Sequence, residues 1–272
     1  FVAEGSTIAD ESSDAPLSSL SLSASHLTFP NGEYSASGLT QSGFTRMIDL
    51  HVRQPCLTSL CLANSQHISR IPPQFEVAGR LLKKLDLSDC VNISGDLTFI
   101  RALSALKWLS LSNCKSLDCR NALDQLSTWE PTATHIEYLN LFGTNVEGEL
   151  TVPIMEWLTQ LQYKNFRGCG RLTLPETFAS HVSETPHIQS IDLYSLSTIE
   201  GTLKSFWGLQ SLTSLDLSGC QRISGWLHPL AHLKNLKNLS LRSCLGVSGM
   251  CDALAVLTSL ESLSLCECQL LT

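Results

Sequence analysis

From Leu57 onward, apolar residues return in a single frame, Leu-x-x-Leu-x-Leu-x-x-Cys. Leu82, Leu85, Leu87 and Cys90 fill it, as do Leu106, Leu109, Leu111 and Cys114. The frame recurs at Leu212, Leu215, Leu217, Cys220; at Leu236, Leu239, Leu241, Cys244; and at Leu260, Leu263, Leu265, Cys268. Looser copies begin at Leu57 (Leu60, Leu62, then Ser65), Ile136 (Leu139, Leu141, then Thr144), Leu161 (Phe166, Cys169) and Ile188 (Ile191, Leu193, then Leu196), and Leu17, Leu20 and Leu22 suggest one more. Successive starts from Leu57 are separated by 25, 24, 30, 25, 27, 24, 24 and 24 residues. The period-two Leu-x-Leu core predicts a short strand whose leucines point inward, and the fixed repeat length predicts that these strands stack in parallel. Beyond the ninth position come Ile93-Ser94-Gly95, Ile223-Ser224-Gly225 and Val247-Ser248-Gly249, where glycine permits a bend. The return limb then carries an apolar residue every third position, as in Leu227, Leu230, Leu233 and Leu236, which predicts 3₁₀ or irregular turns rather than long α-helices.

This frame resembles the leucine-rich-repeat superfamily. The resemblance implies an α/β repeat fold: a right-handed solenoid of eight to ten repeats with a parallel concave sheet and short 3₁₀ or irregular convex segments. The ninth residue, Asn or Cys in that family, turns the chain out of the strand and packs inside. The Ser-Gly repeats are similar to those of plant-type receptors and some protist surface antigens, whereas the ladder cysteines are similar to those of a cysteine-containing intracellular class. Two departures stand out. Lys164 occupies an inward position, and the interval from Leu106 to Ile136 is long, predicting a bulge near Trp129-Glu130-Pro131. The expected organisation is an acidic, Ser-rich flexible arm over 1–16, an N-terminal cap or degenerate repeat over 17–56, and the solenoid over 57–272. Leu260, Leu263 and Leu265 would form an uncapped edge strand, which predicts either further repeats past Thr272 or a partner docked end-on.

Eleven cysteines would suggest a disulfide framework, but six of them share the ninth slot, which predicts buried, reduced thiols acting as small apolar residues. With no cysteine cluster before Leu57, the expected setting is an intracellular reducing compartment, cytoplasmic or organellar, with a secreted or cell-surface location as the alternative. Asn92-Ile93-Ser94 and Asn238-Leu239-Ser240 match the glycosylation sequon, a short motif that is common by chance.

Charge and motifs narrow the function. The net charge of −7, without a dense basic cluster, disfavours extensive nucleic-acid or anionic-membrane binding. Every leucine cluster is interrupted well short of the ~18 residues a membrane span needs. There is no Gly-rich phosphate loop, Gly-x-Ser-x-Gly elbow, His-Glu-x-x-His or paired Cys-x-x-Cys, so no enzyme, cofactor or metal is indicated. His228 and His232 are four apart, but Pro229 argues against the regular helix that would aim both at a metal. Cys266 and Cys268 should point to opposite faces of their strand.

What remains is the surface presented by the strands. Counting from each repeat's first leucine, positions 3, 5 and 7 face outward and form columns across the sheet. The third column carries Trp108, Tyr138 and Tyr163 in succession; the seventh adds Phe142, Arg167 and Tyr194. The terminal repeats show mostly Ser, Asn and Ala in these columns. The fifth column supplies Asp192 and Asp216, among other Asp and Asn residues, as an acidic rim. Aromatics and an arginine grouped amid a Ser-rich surface have the composition of an interaction hot spot. The reading is a non-catalytic protein-protein interaction module whose concave face takes a protein partner with a basic or extended segment. The alternatives are a structural subunit of a large macromolecular assembly, contacting through convex and end surfaces, and a receptor ectodomain or surface antigen.

Overall fold

The computed structural model describes residues 39–53, 57–129, 136–176, 178 and 188–272, and the backbone of 33–35. The arm at 1–16, the copy at Leu17 and the bulge beyond Trp129 lie outside the described residues. Each leucine frame forms a three-residue strand: β2 (Ser59–Cys61), β3 (Lys84–Asp86), β4 (Trp108–Ser110), β5 (Tyr138–Asn140), β7 (Tyr163–Asn165), β9 (Ser190–Asp192), β11 (Ser214–Asp216), β13 (Asn238–Ser240) and β15 (Ser262–Ser264). Before them, β1 (Glu33–Ser35) pairs in parallel with β2 from within the 17–56 segment, and α1 (Gln41–Arg53) follows it. Phe44, Met47 and Ile48 of α1 are buried, and the Phe44 ring lies 6.3 Å from that of Phe75, so this helix closes the N-terminal flank of the core.

The pairing is parallel and in register. Leu85 sits opposite Leu60 and Leu109, and Leu215 sits opposite Ile191 and Leu239, so equal positions form columns as expected. Leu60, Leu85, Leu109 and Leu139 are fully buried. These rows of leucine make one continuous core.

The exit from each strand uses backbone geometry that the leucine frame does not reveal. Position 8 of every repeat is left-handed, with φ between 56° and 79° at Asn64, Asp89, Asn113, Gly143, Gly168, Ser195, Gly219, Ser243 and Glu267. Glycine, asparagine and aspartate tolerate that region; serine and glutamate are strained there. The turn lets the position-9 amide donate to the carbonyl of position 6, as Cys220 does to Leu217 at 2.9 Å. That same carbonyl also accepts the thiol of the following repeat. Sγ of Cys90, Cys114, Cys169, Cys220, Cys244 and Cys268 donates to the carbonyls of Leu62, Leu87, Leu141, Leu193, Leu217 and Leu241 at 2.9–3.1 Å. The ladder cysteines are therefore inter-repeat hydrogen-bond donors as well as apolar fillers. The described cysteines are all unpaired.

After the turn, the Ser-Gly segments build a second set of strands along one flank: β6 (Gly148–Glu149), β8 (Leu172–Thr173), β10 (Gly201–Thr202), β12 (Ile223–Trp226), β14 (Gly246–Gly249) and β16 (Leu270–Leu271). The sequence predicted only a bend here. Gly95, Gly225 and Gly249 adopt φ near 110°, so the bend exists, and the residues around it go on to pair. Convex segments are 3₁₀ where the period of three is clean, at Thr98–Ala102, Leu203–Phe206, His228–His232 and Cys251–Leu254. Where the period fails, α-helices appear instead: α2 (Phe75–Ala78), α3 (Ala122–Thr128) and α4 (Val152–Gln160). In α4, Ile154, Met155, Trp157 and Leu158 follow the α-helical spacing and are buried.

The concave strands divide into two sheets, β1-β2-β3-β4-β5-β7 and β9-β11-β13-β15. Among the described residues no backbone hydrogen bond joins β7 to β9. Lys164 stands at this border in the register of Leu139, where a leucine would otherwise point inward. Burying an ammonium among leucines is costly, and Lys164 Nζ instead reaches Asp192 Oδ2 on the far side at 3.4 Å. The flank is unbroken at the same level: Leu174 N–H donates to Glu200 O at 2.7 Å, Glu200 N–H to Leu172 O at 2.8 Å, and Phe178 N–H to Ser205 O at 2.9 Å. Arg171 and Arg222 both pair with the Glu200 carboxylate, at 2.7 and 3.0 Å.

Candidate functional site

The register places Trp108, Tyr138 and Tyr163 directly opposite one another on β4, β5 and β7. Their rings stack in the outward column. Trp108 and Tyr138 have centroids 4.4 Å apart and planes 12° apart; Tyr138 and Tyr163 are 4.2 Å and 7° apart. Strand spacing of ~4.8 Å is close to the centroid separation of offset-stacked rings, which is why consecutive aromatics in one column can stack. On the other side of Trp108, the neighbouring column member Lys84 holds its Nζ 4.5 Å over the indole, a cation–π contact that the sequence reading missed. Partial burial, together with the adjacent Tyr163, raises the pKa of the Tyr138 hydroxyl above its ordinary value.

Among the described residues the rings cover one another. Trp108 and Tyr138 are half-buried, while Tyr163, at the border of the sheet, is 42% exposed. Phe142 and Arg167 follow in the seventh column on the same sheet and are exposed. Tyr194 is 65% exposed, but it lies across the border with Asp192 and Asp216, on the second concave sheet. The eight candidate residues thus fall into two groups on adjoining sheets.

The fifth column has a structural task that the sequence reading did not assign. Oδ1 of Asp86, Asn140, Asn165, Asp192 and Asp216 accepts the backbone N–H two residues on, at 2.8–3.1 Å. These Asx turns start the exit from the strand. Asp192 is therefore engaged at both oxygens, by Tyr194 N–H and by Lys164, rather than being a free acidic rim residue.

A second feature lies on the flank. Trp207 and Trp226, 48% and 63% exposed, line an open groove of about 490 Å³ with Pro229, His228 and His232. The His232 ring meets Trp207 edge-on at 5.8 Å. Both histidines are exposed on a 3₁₀ turn, and no group of three His, Cys, Asp or Glu side chains among the described residues could hold a metal. Two exposed tryptophans were the available sequence signal, and their positions outside the strand columns hid them.

The buried thiols are chemically quiet. Burial pushes Cys90 and Cys169 up to about 11 and Cys119 and Cys244 up to about 12, and it also raises Cys114 and Cys220. A thiol held protonated is a poor nucleophile. Cys251 and Cys266 are exposed. No described helix is long and apolar enough to cross a membrane.

No protein-family model and no curated protein sequence matches this chain. Among solved structures, internalin C2 of Listeria monocytogenes is similar over 89% of this chain and 78% of its own, with 18% identity and a TM-score of 0.38. The mouse RP105/MD-1 complex matches 79% of this chain and 39% of that one, with 22% identity and a TM-score of 0.47. The leucine-rich-repeat ectodomain of the Arabidopsis thaliana receptor kinase GASSHO1/SCHENGEN3 matches 88% and 29%, with 22% identity and a TM-score of 0.45. The assignment stands on the chain itself. A 24-residue leucine frame, parallel strands in register, an inward ladder at position 9 and a short convex return give this chain a leucine-rich-repeat fold.

Proposed function

We propose that this chain is a non-catalytic binding module that presents its concave face to a protein partner. The observation that carries this reading is the stacked column Trp108–Tyr138–Tyr163, continued by exposed Phe142, Arg167 and, across the sheet border, Tyr194. Stacked rings on paired strands are already ordered before binding, so a partner loses little conformational entropy on their side of the interface. A reducing compartment belongs to the same proposal, supported by the exposed, unpaired thiols Cys251 and Cys266.

The test uses photo-crosslinkers placed singly at Tyr194 on the concave face and at Arg101 on the convex side, in the protein's own cells. Crosslinked partner should appear from Tyr194. Replacing Trp108, Tyr138 and Tyr163 by Ala should abolish that crosslink while the circular-dichroism spectrum stays the same. Leu109→Ala serves as the opposite control, costing about 2–5 kcal/mol through a cavity in the stack without touching the surface. Crosslinks from Arg101 alone would favour the second reading, in which convex and end surfaces build an assembly. The Trp207–Trp226 groove is the observation on that side.

A further inference from the structure

We propose that the outer ring face of Tyr163 is a docking site for an arginine side chain carried by an extended partner segment; this rests on the concave-face reading and specifies what that face selects. The aromatic column has two ends, and they are treated differently. At one end the ring of Trp108 is closed by the Lys84 ammonium, 4.5 Å from its centroid. At the other, Tyr163 is covered on one face by Tyr138 at 4.2 Å, and the next column member is Ser190, which is too short to reach a ring. The greater exposure of Tyr163 relative to Tyr138, which has a ring on each side, fits a second face that no ring among the described residues covers. It opens at the border where β7 and β9 share no ladder bond, so backbone pairing does not fix the space beyond the ring.

The protein itself shows which chemistry closes such a stack: a cation, drawn to the negative π face. The surrounding charges favour the same occupant from outside. Lys164 Nζ is paired with Asp192 Oδ2 at 3.4 Å, which ties up an ammonium that would otherwise compete for the ring. Asp216 stands one strand further on, in a chain of net charge −7. Arginine fits better than lysine because its planar guanidinium can lie parallel to the ring while its edge donates to a carboxylate. Stacking a planar group on Tyr163 continues the column by one layer.

The probe is the peptide acetyl-Gly-Arg-Gly-amide, titrated into the intact chain and followed by NMR of the arginine side-chain protons and the Tyr163 ring. The expected result is an upfield ring-current shift of the arginine δ-methylene, retained in Tyr163→Phe and lost in Tyr163→Leu, whose melting midpoint should match the parent. The citrulline peptide, planar but neutral, should bind about fivefold or more weakly. Lys84→Gln should uncover the Trp108 face and add a second arginine site. Equal binding of the citrulline peptide, an unchanged shift in Tyr163→Leu, or a response to acetyl-Gly-Trp-Gly-amide with none to the arginine peptide would overturn the proposal. Any of these, with the Tyr194 crosslink intact, would remove the arginine assignment and leave the concave-face reading standing; loss of the crosslink to the convex side would remove that reading.

Discussion

Cys220 tests whether the ladder holds repeats together by hydrogen bonding or by volume alone. Its Sγ donates to Leu193 O at 3.1 Å, and the same carbonyl also accepts Leu196 N–H at 3.1 Å. Cys220→Ala therefore removes one of two bonds and leaves no orphaned carbonyl, which keeps the penalty moderate. The lost thiol bond is worth roughly 0.5–1 kcal/mol. The missing sulfur, about the size of a methylene, adds roughly 1 kcal/mol in transfer and cavity terms. The total is about 1.5–2 kcal/mol. Cys220→Ser keeps a donor in the slot, as Ser65 does naturally at full burial, and should cost about half as much. Guanidinium unfolding followed by far-UV circular dichroism at pH 7 with reductant, and a check that the slope is unchanged, measures both variants. If Ser costs more than Ala, the slot is selected for apolar volume, and the reading of the ladder as inter-repeat hydrogen bonds fails.

The left-handed column offers a test in both directions. Ser195→Gly and Glu267→Gly should each raise stability by about 0.5–1 kcal/mol by relieving strain at φ 61° and 64°. Gly219→Ala should lower it by about 1–2 kcal/mol, because φ is 79° and the new Cβ would lie 3.3 Å from Ser195 Cα; thermal midpoints read both, and a neutral Gly219→Ala would refute the strain argument. Alkaline pH should weaken the fold. Burial holds Cys90 and Cys169 near 11, so between about pH 9 and 11 the unfolded chain loses thiol protons that the native chain keeps. Stability is then fully present below pH 9 and falls by up to roughly 1.4 kcal/mol per pH unit for each such thiol; a denaturation midpoint that stays flat from pH 8 to 10 would contradict this. In native protein, iodoacetamide should label Cys251 and Cys266 quickly and the ladder thiols only on unfolding, as mass spectrometry would show.

The strands were legible because burial writes a period of two into Leu-x-Leu, and because the 24-residue spacing fixes which residues become neighbours. From that register alone, Trp108, Tyr138 and Tyr163 could be placed in one column. Lys164 was legible as an exception to the frame, yet its consequence, a border between two sheets, depends on a lateral contact to Asp192 that no pattern within one repeat encodes. The Asx turns at Asp86, Asn140 and Asn165 were not legible from the outward positions of these residues. Outward-facing Asp and Asn serve equally well as contact residues and as local backbone acceptors, and only their geometry separates the two. The left-handed column could have been found, since Asn, Asp and Gly dominate position 8. The second set of strands could not be foreseen from Ile223-Ser224-Gly225 by alternation, because two to four residues are too few to show a period.

The border between β7 and β9 has a mechanical meaning. A stack in which each unit touches only its neighbours has a shape set by the rotation at every joint. At most joints two hydrogen-bonded seams, concave and lateral, resist that rotation together. At this one, among the described residues, the lateral backbone seam through Leu174, Glu200 and Ser205, like the spine of a book, is helped on the concave side by the Lys164–Asp192 ion pair rather than by a ladder. Flexure is expected to concentrate there. The two leaves carry different cargo: the aromatic column rides on one, and Tyr194 with Asp216 on the other. A small change of angle at the spine alters the distance between those groups, while each leaf keeps its own surface intact.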